Sequence, residues 1–181
     1  MTRLPVLQLQ DLTPEQKRIY DEIARVRNGV VRGPFPIWLR NPELADRANQ
    51  LGNVLRMQGK LEKRLFELMV LIVARHWAAQ YEWFSHAKSA LNSGLSPEIV
   101  DAIQNNRRPE SLREDELLVY EIISEIVDTR TLSQPSYERA LAALGVDLLI
   151  ELITAAGFYT MIAMVLNAFD APVPSGERPL R

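Results

Sequence analysis

The chain has 181 residues, 47% of them hydrophobic and 24% charged, with 21 basic against 23 acidic side chains. This is the composition of a soluble globular protein of one domain's length, and a net charge of −2 offers no basic surface for nucleic acid or an anionic membrane. Cysteine is absent, which excludes disulfides, thiolate metal sites and thiol redox chemistry. The first residues, MTRLPVLQLQDLTPEQ, have no apolar stretch typical of a signal peptide. We expect a cytoplasmic protein with neither nucleic acid nor membrane among its partners.

The first predicted helix begins at Thr13. Thr-Pro-Glu-Gln supplies a capping threonine, a proline at the first helical position and a glutamine at the capping-box position, and the helix should run to about Asn28. The segment VVRGPFPIWLRNP follows, and its three prolines predict a loop with at most one helical turn. Its large aromatics, Phe35 and Trp38, are candidates for lining a binding pocket, and packing in the core is the alternative.

A second helix is predicted from about Pro42 to Gln58, where Gly59 ends it. The region after it, from Leu61 to Gly94, contains both histidines of the chain. Up to about Ala74 this region is almost continuously apolar, which is typical of a helix buried in an all-helical core.

Three titratable side chains of this region form the candidate site. Glu67 lies inside the apolar run, whereas Glu82 and His86 are four residues apart and share one helical face. On a single straight helix Glu67 would lie roughly 30 Å from His86 along the axis. A bend or turn between about Arg75 and Gln80 would bring the two helical halves together, although no glycine or proline marks it.

The spacing of these groups suggests acid–base chemistry. A carboxylate that holds one imidazole nitrogen orients the other for proton transfer, so Glu82 is the expected partner of His86. Burial would raise the pKa of Glu67 unless Arg64 or Arg75 neutralises it. The competing interpretation is that His86 is a hydrogen-bonded group of the core.

Neither a metal nor a cofactor is expected. The ten-residue interval between His76 and His86 has no metal-ligand signature. The chain also lacks a P-loop, a dinucleotide fingerprint and a zincin motif.

The rest of the chain predicts further helices and no strands. The final helix is uncharged from Leu152 to Leu166. This uncharged run is shorter than the roughly 20 residues that span a bilayer. It is also more apolar than a helix that a single small domain can easily cover on all sides. We therefore expect a subunit interface there. The predicted helices run from Pro97 to about Gln104 with Ser96 as cap, from about Arg113 to Asp128, from Pro135 to Leu144 with Gly145 as its end, and from Val146 to about Phe169.

A family resemblance lies in RLFELMVLIVARHWAAQYEWFSHAKSALNSGLSPEIV. This stretch resembles the carboxymuconolactone decarboxylase family, whose relatives include the AhpD alkylhydroperoxidases. In the peroxidase branch a glutamate precedes a Cys-x-x-Cys pair, and a histidine follows that pair. Aligned on His86, the motif places the glutamate on Glu67 and the two cysteines on Ala79 and Glu82. The missing cysteines, together with YEW and His86, are typical of the branch without the redox pair. The likeness extends from about Thr13 to Asn167, through GPF, NPEL, DE and LIEL.

The resemblance implies an all-α, AhpD-like helical bundle: a single domain over residues 1–181, with its core at about 13–169, that forms a homo-oligomer, either a trimer or a hexamer. It also implies a cofactor-independent lyase that acts on a small carboxylated lactone or ring acid, where loss of carbon dioxide leaves an enol-like carbanion to be protonated. The roles implied are His86 as proton donor, Glu82 as its orienting group, Glu67 as a second acid–base group, Arg75 as a holder of a substrate carboxylate, and Phe35, Trp38, Tyr81 and Trp83 as substrate-binding residues.

One alternative from a different class is a non-catalytic helical oligomer, or a small-ligand-binding protein, that keeps the fold and its polar cluster for structure. A peroxidase or disulfide reductase is contradicted by the absent cysteines, because that chemistry requires a thiolate.

Overall fold

The computed structural model describes residues 3–180, and over these residues the protein is all-helical with no strand. This confirms the predicted fold class. The α-helices of the described residues are α1 (Pro14–Val26), α2 (Phe35–Trp38), α3 (Pro42–Asn53), α4 (Lys63–His76), α5 (Gln80–Asn92), α6 (Pro97–Gln104), α7 (Glu114–Thr129) and α8 (Gln134–Ala168). A 3-10 turn at Leu9–Asp11 precedes them, and a π-helical turn at Val54–Gln58 continues α3.

Two helix starts confirm the capping predictions. At α1 the Thr13 hydroxyl accepts the Gln16 N–H at 3.2 Å, and the Gln16 side chain accepts the Thr13 N–H at 2.9 Å, which completes a capping box. At α6 the Ser96 hydroxyl accepts the Ile99 N–H at 3.3 Å, and proline occupies the first helical position.

The chain forms two compact units, and the first comprises residues 3–59 with Val165–Pro172. In this unit α1 packs on α3, with Ile19 and Ile23 fully buried. Phe35 and Trp38 are 8% and 4% exposed and contact each other edge to face, with ring centroids 5.6 Å apart. The Arg27 guanidinium lies 4.4 Å from the centre of the Phe35 ring. Both aromatics are therefore core residues of the first unit.

The second unit comprises Lys60–Met164 with residues 173–180, and α4 is its central helix. Every residue of α4 from position 64 to 74 is buried, and the helix packs on α5, α6 and α7. This confirms the prediction of a buried helix. The carboxylate of Glu151, on α8, accepts the N–H groups of Lys60 and Leu61 at 3.0 and 2.9 Å, which ties the start of α4 to α8.

A tight turn between α4 and α5 reverses the chain. Helix α4 ends at His76 and α5 begins at Gln80, with Ala78 in the left-handed region at φ 47°. The Ala79 N–H donates to the Ala74 carbonyl at 2.8 Å and closes the turn. The break lies where the sequence predicted it, and α4 and α5 form a helical hairpin.

Helix α8 is interrupted at Gly145, whose φ of 74° and ψ of 167° are not helical. The predicted helix end at this glycine is thus confirmed as a kink between two helical segments. Among the described residues, α8 is the one helix long and apolar enough to cross a membrane by length and composition, a test that the core helix of a soluble protein also passes.

Candidate active site

The central feature of the second unit is a buried carboxyl–imidazole pair. Glu67 Oε2 lies 2.7 Å from His86 Nδ1, and the two residues are 1% and 6% exposed. When Glu67 is ionised, the Nδ1–H of His86 donates to it, which fixes the tautomer and leaves Nε2 as the nitrogen that exchanges a proton.

The helical hairpin explains why this pair forms. Glu67 lies nine residues before the last residue of α4, and His86 lies six residues after the first residue of α5. The two positions therefore come to a similar level on neighbouring antiparallel helices. The prediction that Glu82 orients His86 is wrong, because Glu67 of the facing helix occupies the Nδ1 position.

Glu82 is buried and has no hydrogen-bond partner. It is 1% exposed, lies in the first turn of α5, and neither carboxyl oxygen has a partner within the part of the chain that the structure describes. Burial raises its pKa well above the ordinary value of 4.5. The positive end of the helix dipole favours an ionised Glu82 by only about 0.3–1 kcal/mol, less than one pKa unit, whereas full burial shifts a carboxyl by up to about 3–5 units. Glu82 therefore keeps its proton to a higher pH than an exposed glutamate does.

Tyr159 of α8 completes the surroundings of His86. Its ring is 2% exposed and meets the imidazole edge to face, with centroids 5.1 Å apart, while Phe66 contacts the same tyrosine at 5.5 Å. Tyr159 was not among the site residues predicted from the sequence. The available signal was a tyrosine in the middle of the uncharged run from Leu152 to Leu166, since a buried tyrosine needs a partner for its hydroxyl.

Arg64 does not neutralise Glu67. It is 4% exposed and donates instead to the carboxylates of Asp115 and Glu116, and Glu116 also accepts the Arg113 N–H at 2.8 Å. Burial alone would lower the pKa of Arg64, but the hydrogen bonds that its guanidinium donates to Asp115 and Glu116, and the charges of these carboxylates, outweigh burial and raise that pKa. This network joins α4 to α7 and is separate from the Glu67–His86 pair.

The structure does not bring Arg75 to the Glu67–His86 pair. Arg75 lies eight residues beyond Glu67, roughly 12 Å along α4, and lines a cleft of about 150 Å³ whose lining includes neither Glu67 nor His86. His76 lies in the same cleft, with its Nδ1 3.6 Å from Asp128 Oδ1.

The predicted aromatic residues are dispersed. Tyr81 and Trp83 flank Glu82 on α5 and project about 100° to either side of it; Trp83 is 2% exposed and Tyr81 half-buried. Phe35 and Trp38 belong to the first unit, whereas Glu67, Glu82 and His86 belong to the second. Over residues 3–180, no cluster of three or more histidine, aspartate and glutamate side chains has the arrangement to hold a metal ion.

Comparison with known proteins gives the fold. No family model matches the chain, and no curated protein matches it either. Among solved structures it is similar to an uncharacterized peroxidase-related protein from Silicibacter sp. TM1040, with a TM-score of 0.79 and 16% identity over 94% of this chain and 90% of that one. At such low identity the likeness shows the fold alone, and it confirms that the chain has an AhpD-like, all-helical fold.

Proposed function

We propose that this protein is a cofactor-independent acid–base enzyme, and that it acts as a lyase on a small carboxylated lactone or related ring acid. The observation that carries the proposal is the presence of two buried carboxyl groups near one histidine, of which one is hydrogen-bonded and the other is not. Glu67 is paired with His86 at 2.7 Å, and Glu82, one turn away on α5, is unpaired. A buried carboxyl without a partner, next to a histidine that a second carboxyl orients, is a candidate proton donor for acid–base catalysis.

In the proposed reaction the substrate's C–C bond to its carboxylate breaks, carbon dioxide leaves, and the electron pair passes into the ring as an enolate. Glu82, neutral before the reaction, donates its proton to the enolate carbon. The carboxylate of Glu82 that this step leaves in apolar surroundings is unfavourable, so Glu82 must take up a proton again. We assign His86 as the group that returns this proton, because it lies one turn away on the same face of α5 and is held by Glu67.

The test combines turnover with unfolding. Wild type, Glu82→Gln, His86→Ala and Glu67→Gln are assayed on a panel of carboxylated lactones and ring acids, and each variant is melted. We expect Glu82→Gln and His86→Ala to lose about 10²–10⁴-fold in rate while they stay folded. Glu98→Gln, which removes a fully exposed carboxylate from α6, is the matched control and should keep full activity.

A non-catalytic role in structure or in ligand binding is the second candidate. The observation that favours it is the near-complete burial of Glu67, Glu82 and His86, which are 1%, 1% and 6% exposed. In that case no substrate on the panel turns over with wild type, and every site variant melts at a distinctly lower temperature. The assay also includes a hydroperoxide with a dithiol reductant, and we expect no turnover there because the chain has no cysteine.

A further inference from the structure

We propose that the cleft at the end of α4 binds a small oxyanion of the carboxylate or phosphate class. The cleft has a volume of about 150 Å³ and is lined by the cationic side chains Arg75, Arg107 and Arg108, with His76 beside them. By roughly 30 Å³ per water, it has room for about five waters, which suits one oxyanion with a short attached group.

Three elements bring these cations together. Arg75 and His76 are the last two residues of α4, whereas Arg107 and Arg108 belong to the loop between α6 and α7. That loop reverses at Asn106, which is left-handed at φ 56°, and the Arg107 N–H donates back to the Ala102 carbonyl at 2.8 Å. Helix α7 supplies the opposite wall through Tyr120, Ser124, Val127 and Asp128.

The charges of the lining favour an anion. The lining contains three arginines and one carboxylate, that of Asp128, whose Oδ1 lies 3.6 Å from the Nδ1 of His76. Arg107 is paired with Asp101, and Arg108 with Glu121 at 2.8 Å, and each pair uses only the Nη2 nitrogen of the arginine. A guanidinium has five N–H donors in a fixed fork, so these pairs orient the arginines and leave donors for a ligand. Asp101 and Glu121 also compete with the ligand, which makes the expected affinity modest.

The uncharged walls define the rest of the ligand. Ile72 and Ile103 are buried side chains of the lining, and the Tyr120 ring has the Arg108 guanidinium 5.9 Å from its centre. An oxyanion that carries a short aliphatic or aromatic group satisfies both the guanidiniums and these walls. Glu67, Glu82 and His86 do not line this cleft, so the proposal is independent of the proposed acid–base activity.

The experiment is a calorimetric titration at constant ionic strength with inorganic phosphate and, separately, with benzoate. We expect saturable binding of one ligand per chain with a Kd of about 1 mM or tighter for at least one of them, and the tighter ligand identifies the class. The Arg107→Gln/Arg108→Gln double variant should weaken binding by at least about tenfold, and Arg108→Lys should weaken it by less, because it keeps the charge and loses the fork.

Two controls make the result specific. Arg18→Gln removes an exposed arginine of α1 and should leave the Kd unchanged, as should His86→Ala. Binding that never saturates, or that the double variant leaves intact, overturns the proposal. Circular dichroism of the double variant checks that a lost signal reflects the cleft and not the fold.

Discussion

Two glutamates with the same side chain, buried to the same degree, behave differently because of their partners. Glu67 has an imidazole nitrogen at 2.7 Å, whereas Glu82 has no hydrogen-bond partner among the described residues. A buried polar group without a partner costs roughly 1–3 kcal/mol of stability. Natural proteins keep such groups mostly where function requires them, so Glu82 is the residue whose replacement is most informative.

We predict that Glu82→Gln makes stability less dependent on pH. In the unfolded chain a glutamate ionises near pH 4.3, but burial raises the pKa of Glu82 in the folded state. Between these two pKa values the folded state holds a proton that the unfolded state has released, so wild type loses stability as pH rises, by up to about 1.4 kcal/mol per pH unit. Glutamine does not titrate, so the stability of the variant relative to wild type should increase as the pH rises above 5.

Urea unfolding of both proteins across this range measures the difference. Glu98→Gln is the control, because the pKa of Glu98 is lowered by hydrogen bonds to its own backbone N–H and to Ser96, and its carboxylate stays ionised from pH 5 to 8. Parallel curves for wild type and Glu82→Gln would mean that Glu82 is ionised in the folded protein.

The residues of this site were predictable from sequence, but their pairing was not. Glu67, Glu82 and His86 stood out because charged and titratable groups are rare in apolar helices. The choice of partner for His86 depends on how α4 and α5 meet, and Glu67 is nineteen residues away in the chain. The local spacing favoured Glu82, since spacing along one helix carries no information about the facing helix.

At the scale of elements, some boundaries were predicted from local chemistry and one, the turn between α4 and α5, only from the placement of the candidate site residues. Thr13, Ser96 and Gly145 each mark a helix end by a cap or by a positive φ that glycine tolerates, and each lies where the structure has a boundary. The turn at Trp77 to Ala79 has no such mark. Ala78 adopts the left-handed conformation there, and the packing of the hairpin must offset the strain. The turn was therefore predicted from the requirement that Glu67 and His86 meet, and not from a local signal.

The start of α5 is also fastened to the segment 173–180. The Gln80 side-chain amide donates to the Leu180 carbonyl at 2.7 Å and accepts the Leu180 N–H at 3.0 Å, and Gln104 donates to the Pro179 carbonyl at 3.0 Å. Leu180 itself is only 4% exposed. The side-chain amide of Gln80 thus makes the pair of hydrogen bonds with Leu180 that a neighbouring backbone would make. These bonds hold the segment 173–180 against the start of α5.

We predict that Gln80→Ala releases this segment. The two lost hydrogen bonds contribute roughly 0.5–1.5 kcal/mol each, so the opening equilibrium of the segment should rise by roughly 5- to 150-fold. Amide hydrogen exchange at Leu180 measures the change directly. Gln104→Ala removes one bond and should raise exchange less, and unchanged protection of Leu180 in Gln80→Ala would show that the Gln80 hydrogen bonds do not hold the segment.

At the scale of the whole molecule, the segment of α8 after Gly145 has one covered and one uncovered face. At about 100° per residue, Val146, Ile150 and Met164 lie within roughly 40° of one another, and they are 56%, 60% and 50% exposed. The buried residues Leu152, Ala155, Tyr159 and Ala163 face the opposite direction. One side of this apolar helix therefore packs in the core, and the side with Val146, Ile150 and Met164 is exposed in the single chain.

We predict that this face is covered by another copy of the chain, in the trimer or hexamer that the family resemblance implies. An isoleucine buried between copies contributes roughly 1.5–3 kcal/mol to association, and a carboxylate in its place would be desolvated without a partner. Ile150→Asp should therefore dissociate the oligomer into smaller species. Light scattering coupled to size exclusion, at micromolar protein, gives the mass of each. Val6→Asp is the matched control, because Val6 is 72% exposed and precedes α1 in the chain, and this change should leave the mass of the assembly unchanged. A wild-type protein that elutes with the mass of one chain, or an Ile150→Asp variant with the wild-type mass, would rule out this face as the contact between copies.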